Sequence, residues 1–150
     1  MKSDFFKLIE SGAGGVFRCH APLTEAMLEP AVQRKLLVVP VQLVAARDKH
    51  AFLTAIAKAL QFPDYFGHNW DAFYDCLLEL RHPEGSGTLL VLRDASGFAR
   101  AEPEEFAAAT GALADAADHW RQKKKVLLVV VELDVPALAP ELEEISRPAA

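Results

Sequence analysis

Two aspartates four residues apart, Asp71 and Asp75, stand in a segment from Phe62 to Leu80 that holds four acids and no lysine or arginine. On a helix that spacing stacks the carboxylates one turn apart, where like charges cost a few tenths of a kcal/mol and aspartate is itself a poor helix former. Asp71 has a structural explanation. It would lie in the first turn after a cap at Asn69, where the helix dipole favours a carboxylate. Asp75 has no such explanation. A solvated acidic face is the plain alternative, but Tyr65, Phe66, Tyr74 and Leu78 surround the carboxylates with aromatic and apolar surface, a mixture closer to an interface. Such a face is suited to arginines and lysines of a partner.

Other chemistries fit these residues less well. His68, Asp71 and Asp75 fall at i, i+3 and i+7, yet the helix supplies no fourth ligand, so no metal or other cofactor is expected. General acid–base work would need a substrate pocket of which the sequence gives no sign, and no catalytic residue is assigned. Gly12-Ala-Gly-Gly15 precedes a strand-like run and lacks the lysine of a phosphate-binding loop, so it reads as a joint. Ser96 lacks the flanking glycines of a hydrolase elbow, and Lys123–Lys125 suits the end of a helix. Cys76 falls on a core face as a small hydrophobe.

The elements that would position the acidic face follow from periodicity. Trp70, Phe73, Cys76, Leu77 and Leu80 share one side of a helix running from His68 or Asn69 to Leu80, opposite Asp71, Tyr74, Asp75, Leu78 and Glu79. Before it, Asp48 caps a helix with Phe52, Ile56 and Leu60 inward, closed off by Pro63. Leu36–Val44, Thr88–Arg93 and Val126–Glu132 are apolar runs of the kind buried on both faces, and Pro40 marks the first as an edge or bent strand. Glu102-Pro-Glu-Glu105 opens a long helix with Phe106, Leu113, Ala117 and Trp120 inward. Nearer the start, Asp4–Ser11 is a short helix stopped at Gly12, Val16–Cys19 a possible fourth strand, and Pro22 to about Pro30 helical. Strands alternating with helices make the class α/β, with a small parallel sheet. The expected organisation is an extension at residues 1–35 packed on or beside a core domain at 36–134, then a peripheral tail at 135–150.

Composition narrows the function. The chain has 150 residues, 51% hydrophobic and 25% charged, which is globular and of single-domain size. Residues 1–62 carry 8 bases and 5 acids, and residues 63–150 carry 8 bases and 16 acids, giving −5 in all. That balance disfavours direct nucleic-acid or anionic-membrane binding and favours a basic protein. The first residues carry acids where a signal peptide would be apolar, no run reaches membrane length, and two cysteines make no disulfide framework. A cytoplasmic protein with both thiols reduced, monomeric when free, is the expectation.

Pro63-Asp-Tyr-Phe-Gly-His-Asn-Trp-Asp-Ala-Phe-Tyr-Asp-Cys-Leu77 resembles the signature of the barstar family, intracellular inhibitors of a bacterial ribonuclease, written P-E-Y-Y-G-E-N-L-D-A-L-W-D-C-L. The spacing matches without a gap, and the order of elements from about residue 36 to 133 agrees. The resemblance implies inhibition by insertion into the basic cleft of a small ribonuclease or related toxin, with aspartates in place of substrate phosphates. It aligns Asp75 with the family's dominant aspartate, Asp71 with the second, Tyr65 with the loop tyrosine and Tyr74 with an interface tryptophan. Phe66, Gly67 and Asn69 complete the implied contact set. His68 stands where the family has an acid, Phe66 lacks a hydroxyl, and Tyr74 is smaller than tryptophan. The alternatives are an acidic-helix module for another basic protein and, in a different class, a small metal- or nucleotide-dependent α/β enzyme.

Overall fold

The computed structural model describes residues 2–64, 66–81 and 85–146. In chain order the elements are β1 (Lys2–Asp4), α1 (Phe5–Ser11), β2 (Gly15–Cys19), α2 (Glu25–Gln33), β3 (Leu36–Gln42), α3 (Lys49–Leu60), α4 (Trp70–Leu78), β4 (Gly87–Arg93), α5 (Ser96–Ala101), α6 (Pro103–Gln122), β5 (Val126–Glu132) and β6 (Glu143–Ser146). All six strands are parallel, in the order β1-β6-β2-β5-β4-β3. The class is α/β as expected, but among the described residues the sheet has six strands instead of three or four.

The difference lies outside the central run. Val16–Cys19 does pair, as β2, and inserts beside β5 with Phe17 opposite Val130. The segment after Val135, expected at the periphery, supplies β6, whose Ile145 is buried and which bridges β2 and β1. β1 and β6 are three and four residues long and partly polar, so only their neighbours make them strands.

Helices cover both faces. On one, α3, α4, α5 and α6 pack over Leu90, Leu92, Val129 and Val131. On the other, α1 and α2 pack over Leu89, Val91, Leu128 and Val130. The alternation of adjacent residues between two cores is why β4 and β5 are apolar throughout. Gly12 stops α1 in the left-handed conformation, and Gly87, at φ 155°, opens β4 where a Cβ would collide with the Val126 carbonyl. β1 is one edge of the sheet and β3 the other. The Leu43 amide bonds back to the Arg93 carbonyl, so even-numbered residues turn their backbone groups outward and Pro40 presents no donor there. A strand approaching that edge lacks one ladder bond.

Candidate functional site

Asn69 starts α4 in extended geometry, and its Oδ1 accepts the Ala72 amide at 2.8 Å. The preceding turn is closed by Asn69 N–H donating to the Gly67 carbonyl at 2.6 Å. A Cβ at Gly67 would press on the Asn69 side-chain Nδ2 at 3.2 Å, so the small residue leaves the capping side chain undisturbed. Phe73 and Leu77 are fully buried beneath α4, whereas Asp71, Asp75 and Glu79 are exposed and Tyr74 is half-buried. The expected division of the helix into a core side and an acidic side is therefore present.

Two indoles fix the helix to its neighbour. At its start, Trp70 Nε1 donates to Glu105 Oε2 at 2.7 Å, and at its end Trp120 Nε1 donates to the Leu77 carbonyl at 2.9 Å. The second bond adds a side-chain donor to a helix-end carbonyl that otherwise meets only the amides of the closing turn, Glu79 N–H and Leu80 N–H. Trp70 also packs on Phe52 and Phe73, with Lys49 Nζ 5.6 Å above its ring. α4 is thus a rigid ridge held by α6 and α3. Neither tryptophan bond was visible in the sequence, because the partners lie 35 and 43 residues away.

The loop before α4 is held from beneath. Phe66 is buried, with its ring against Phe62 at 5.2 Å and His68 at 5.0 Å. His68 stacks on His50 at 4.7 Å. Phe66, assigned by its resemblance to the contact set, lies under the loop and supports it. Tyr65 falls outside the described residues. Gly67, Asn69, Asp71, Tyr74 and Asp75 lie along one continuous strip of loop and helix.

Among the described residues the acidic face has no ion-pair partner. Ion pairs among the described residues join Arg93 to Glu132, Arg100 to Asp134 and Arg121 to Asp118, and none reaches Asp71, Asp75 or Glu79. Cys76, on the same helix, registers the field: burial chiefly, then the charges of Glu79 and Asp75, push its thiol above the ordinary range. Both cysteines are free thiols. Among the described residues no group of three or more metal-ligating side chains converges, and no helix is long and apolar enough to cross a membrane.

This arrangement can present carboxylates to cations at fixed spacing. The sequence profile of one family, Barstar (barnase inhibitor), matches residues 36–132, the stretch from β3 to β5. No curated protein matches the chain. Two solved structures of the ORC2 protein of Aeropyrum pernix, in ADPNP-ADP complexes and in an ADP form, share the fold with TM-scores of 0.58 each at 13% and 12% identity. They cover 95% of this chain, which spans only 44% and 45% of theirs. At that identity the likeness is one of fold alone.

Proposed function

The chain belongs to the barstar family, and from that premise we propose that it inhibits a small basic ribonuclease, acting by binding and not by catalysis. The observation that carries the reading is the pair Asp71 and Asp75, without an ion-pair partner among the described residues, on a helix clamped at both ends. Carboxylates on a rigid support can be aimed at guanidinium and ammonium groups with little ordering cost on binding. A substrate phosphodiester offers the same acceptor oxygens to a ribonuclease cleft, so two aspartates one helical turn apart imitate two phosphates. Tyr65, Gly67, Asn69 and Tyr74 would form the remainder of the contact strip. Phe66 is a positioning residue beneath it.

The proposed setting is a bacterial cytoplasm, where an inhibitor protects the producing cell from its own nuclease, as an antitoxin or immunity protein does. The replacements at His68, Phe66 and Tyr74 alter charge, a hydroxyl and bulk on or under the strip, which favours a partner matched to this chain over the family's best-known ribonuclease. Capture on the full-length protein from the lysate and secreted fraction of its source tests the reading. A basic nuclease that elutes with the wild type, escapes Asp75→Ala and loses RNA-cleaving activity when wild type is added is the expected result. A basic partner without nuclease activity would overturn the inhibitor reading and leave an acidic binding module.

A further inference from the structure

The carboxyl ends of the strands enclose a second feature, remote in character from the acidic helix. After β2 the chain leaves toward α2 on one face of the sheet, and after β4 and β5 it leaves toward the other face. β2 and β5 are neighbours, so the departing loops part and leave a crevice at the strand ends. In open α/β sheets this topological switch point is where ligands are bound. Here it is a cavity of about 460 Å³, within the range of small-molecule sites. Residues 36–132, the family-matched part, supply β3, β4 and β5 only. The opposing wall, His20 and Pro22, follows β2 and comes from the N-terminal extension.

That wall is locked in place. Glu132, 5% exposed, accepts from the Leu23 amide at 2.9 Å and pairs with Arg93 Nη1 at 2.6 Å. The same Arg93 nitrogen donates to the Leu23 carbonyl at 2.8 Å. Across the cavity, Asp134 accepts from Arg100 at 2.8 Å, and its amide donates to Ser96 Oγ. These acids are engaged with partners. Of the lining residues, His20, Arg47 and Asp94 are exposed and belong to none of the ion pairs found among the described residues. Arg47 lies beside Gly97, its Cζ 3.7 Å from where a Cβ would stand. Asp94 sits at the end of β4 in the left-handed conformation, φ 53°, an uncommon state for a residue with a side chain.

We propose that this crevice binds a small organic phosphate bearing sugar hydroxyls, the chemistry shared by sugar phosphates and nucleoside monophosphates. Arg47 is the free cation for the phosphate, with Arg100 as a second guanidinium. The Asp94 carboxylate, which can only accept, takes donors such as vicinal hydroxyls. Pro22 and the exposed Val44 give apolar rims at its margins. Carboxylates of Asp94 and Asp134 facing the same space disfavour a bare phosphate, so the hydroxyl contacts are required for binding.

Calorimetric titration and amide chemical-shift mapping of the full chain with ribose phosphate, adenosine monophosphate and inorganic phosphate test this. The expected result is binding of one or both organic phosphates at a dissociation constant below about 1 mM, at least about tenfold tighter than inorganic phosphate. Shifts should centre on His20, Asp94 and Gly97 and leave α4 unmoved. Arg47→Ala should weaken binding about tenfold, and Asp94→Asn, which tolerates the left-handed backbone, should remove the preference over inorganic phosphate. Unchanged melting of both variants shows that the fold is retained. Equal binding of the two organic phosphates supports a ribose phosphate site, and tighter nucleotide binding supports one with the base seated at a rim. No binding of either organic phosphate, affinity equal to that of inorganic phosphate, or indifference to Arg47→Ala would overturn the proposal.

Discussion

Replacing Asp75 by alanine separates a binding aspartate from a structural one. In the free protein Asp75 is exposed and makes no ion pair among the described residues. Alanine is the better helix former by up to ~0.7 kcal/mol, and relief of the repulsion from Asp71 adds a few tenths. Stability should therefore rise by ~0.5–1 kcal/mol, or about 1–4 °C in Tm for a chain of this size. Binding should move the other way. A charge-assisted hydrogen bond contributes ~1.5–3 kcal/mol, and its loss leaves a desolvated cation on the partner. The complex should weaken by ~2 kcal/mol or more, about 30-fold. Asp71→Ala should weaken binding while leaving stability nearly unchanged, because Asp71 sits in the first turn of α4, where a carboxylate stabilises by ~0.3–1 kcal/mol and its loss offsets the same two gains. Glu10→Ala, on α1 across the sheet, is the control. The assay is calorimetric titration against the captured ribonuclease beside thermal melting of each variant, repeated at raised salt, where association should slow. An Asp75→Ala protein that binds as tightly as wild type, or that fails to fold, would refute the reasoning.

Three further outcomes bear on how the ridge is built. Asn69→Ala removes the cap on Ala72 and should lower stability by ~1 kcal/mol, with Asn69→Ser restoring most of it in denaturant titration. Trp120→Phe keeps an aromatic ring but leaves the Leu77 carbonyl without its indole donor, so a loss of ~1 kcal/mol is expected, along with faster amide exchange at the end of α4. Since burial, Glu79 and Asp75 hold the Cys76 thiol above its ordinary range, the fraction of thiolate at a given mildly alkaline pH is lower than for an ordinary thiol. Alkylation of Cys76 should accelerate in Asp75→Asn and Glu79→Gln, and a rate unaffected by either change would contradict the assignment.

The parts of this molecule that were legible in the sequence are those governed by local chemistry. Asn69 and Asp48 announce their helices because a capping side chain bonds an amide three residues on. Leu89–Leu92 and Leu127–Val131 announce strands because both of their faces are buried. α5 carried no such mark: Ala95, at its start, offers no capping side chain, and the helix is held by burial of Phe98 and Ala99. Lys2–Asp4 is a strand because it pairs with Glu143–Ser146, and that segment in turn because it pairs with both Lys2–Asp4 and β2. The family resemblance puts Phe66 in the contact set. Burial against Phe62 is a tertiary fact that motif spacing does not encode.

The N-terminal extension gains a meaning from the same distinction. A family-sized sheet of β3, β4 and β5 would leave the β2 side of β5 with unpaired backbone groups, and β2 pairs five of its residues there, from Leu128 to Glu132. Glu132 ends that strand, and its carboxylate is almost wholly removed from water. A buried carboxylate is costly unless paired and hydrogen-bonded. Its partners are Arg93, from within the family-matched stretch, and the Leu23 amide, from the extension. The Leu133 amide bonds in addition to the Cys19 carbonyl. Removal of residues 1–35 would strip one of these partners from Glu132 and uncover Leu128 and Val130 on the α1–α2 face. The extension is thus bound into the sheet by hydrogen bonding and burial together. The acidic ridge, by contrast, is tied by its two indole bonds and by Lys49 to α6 and α3, both inside the family-matched stretch, so no residue of the extension holds it directly through these contacts.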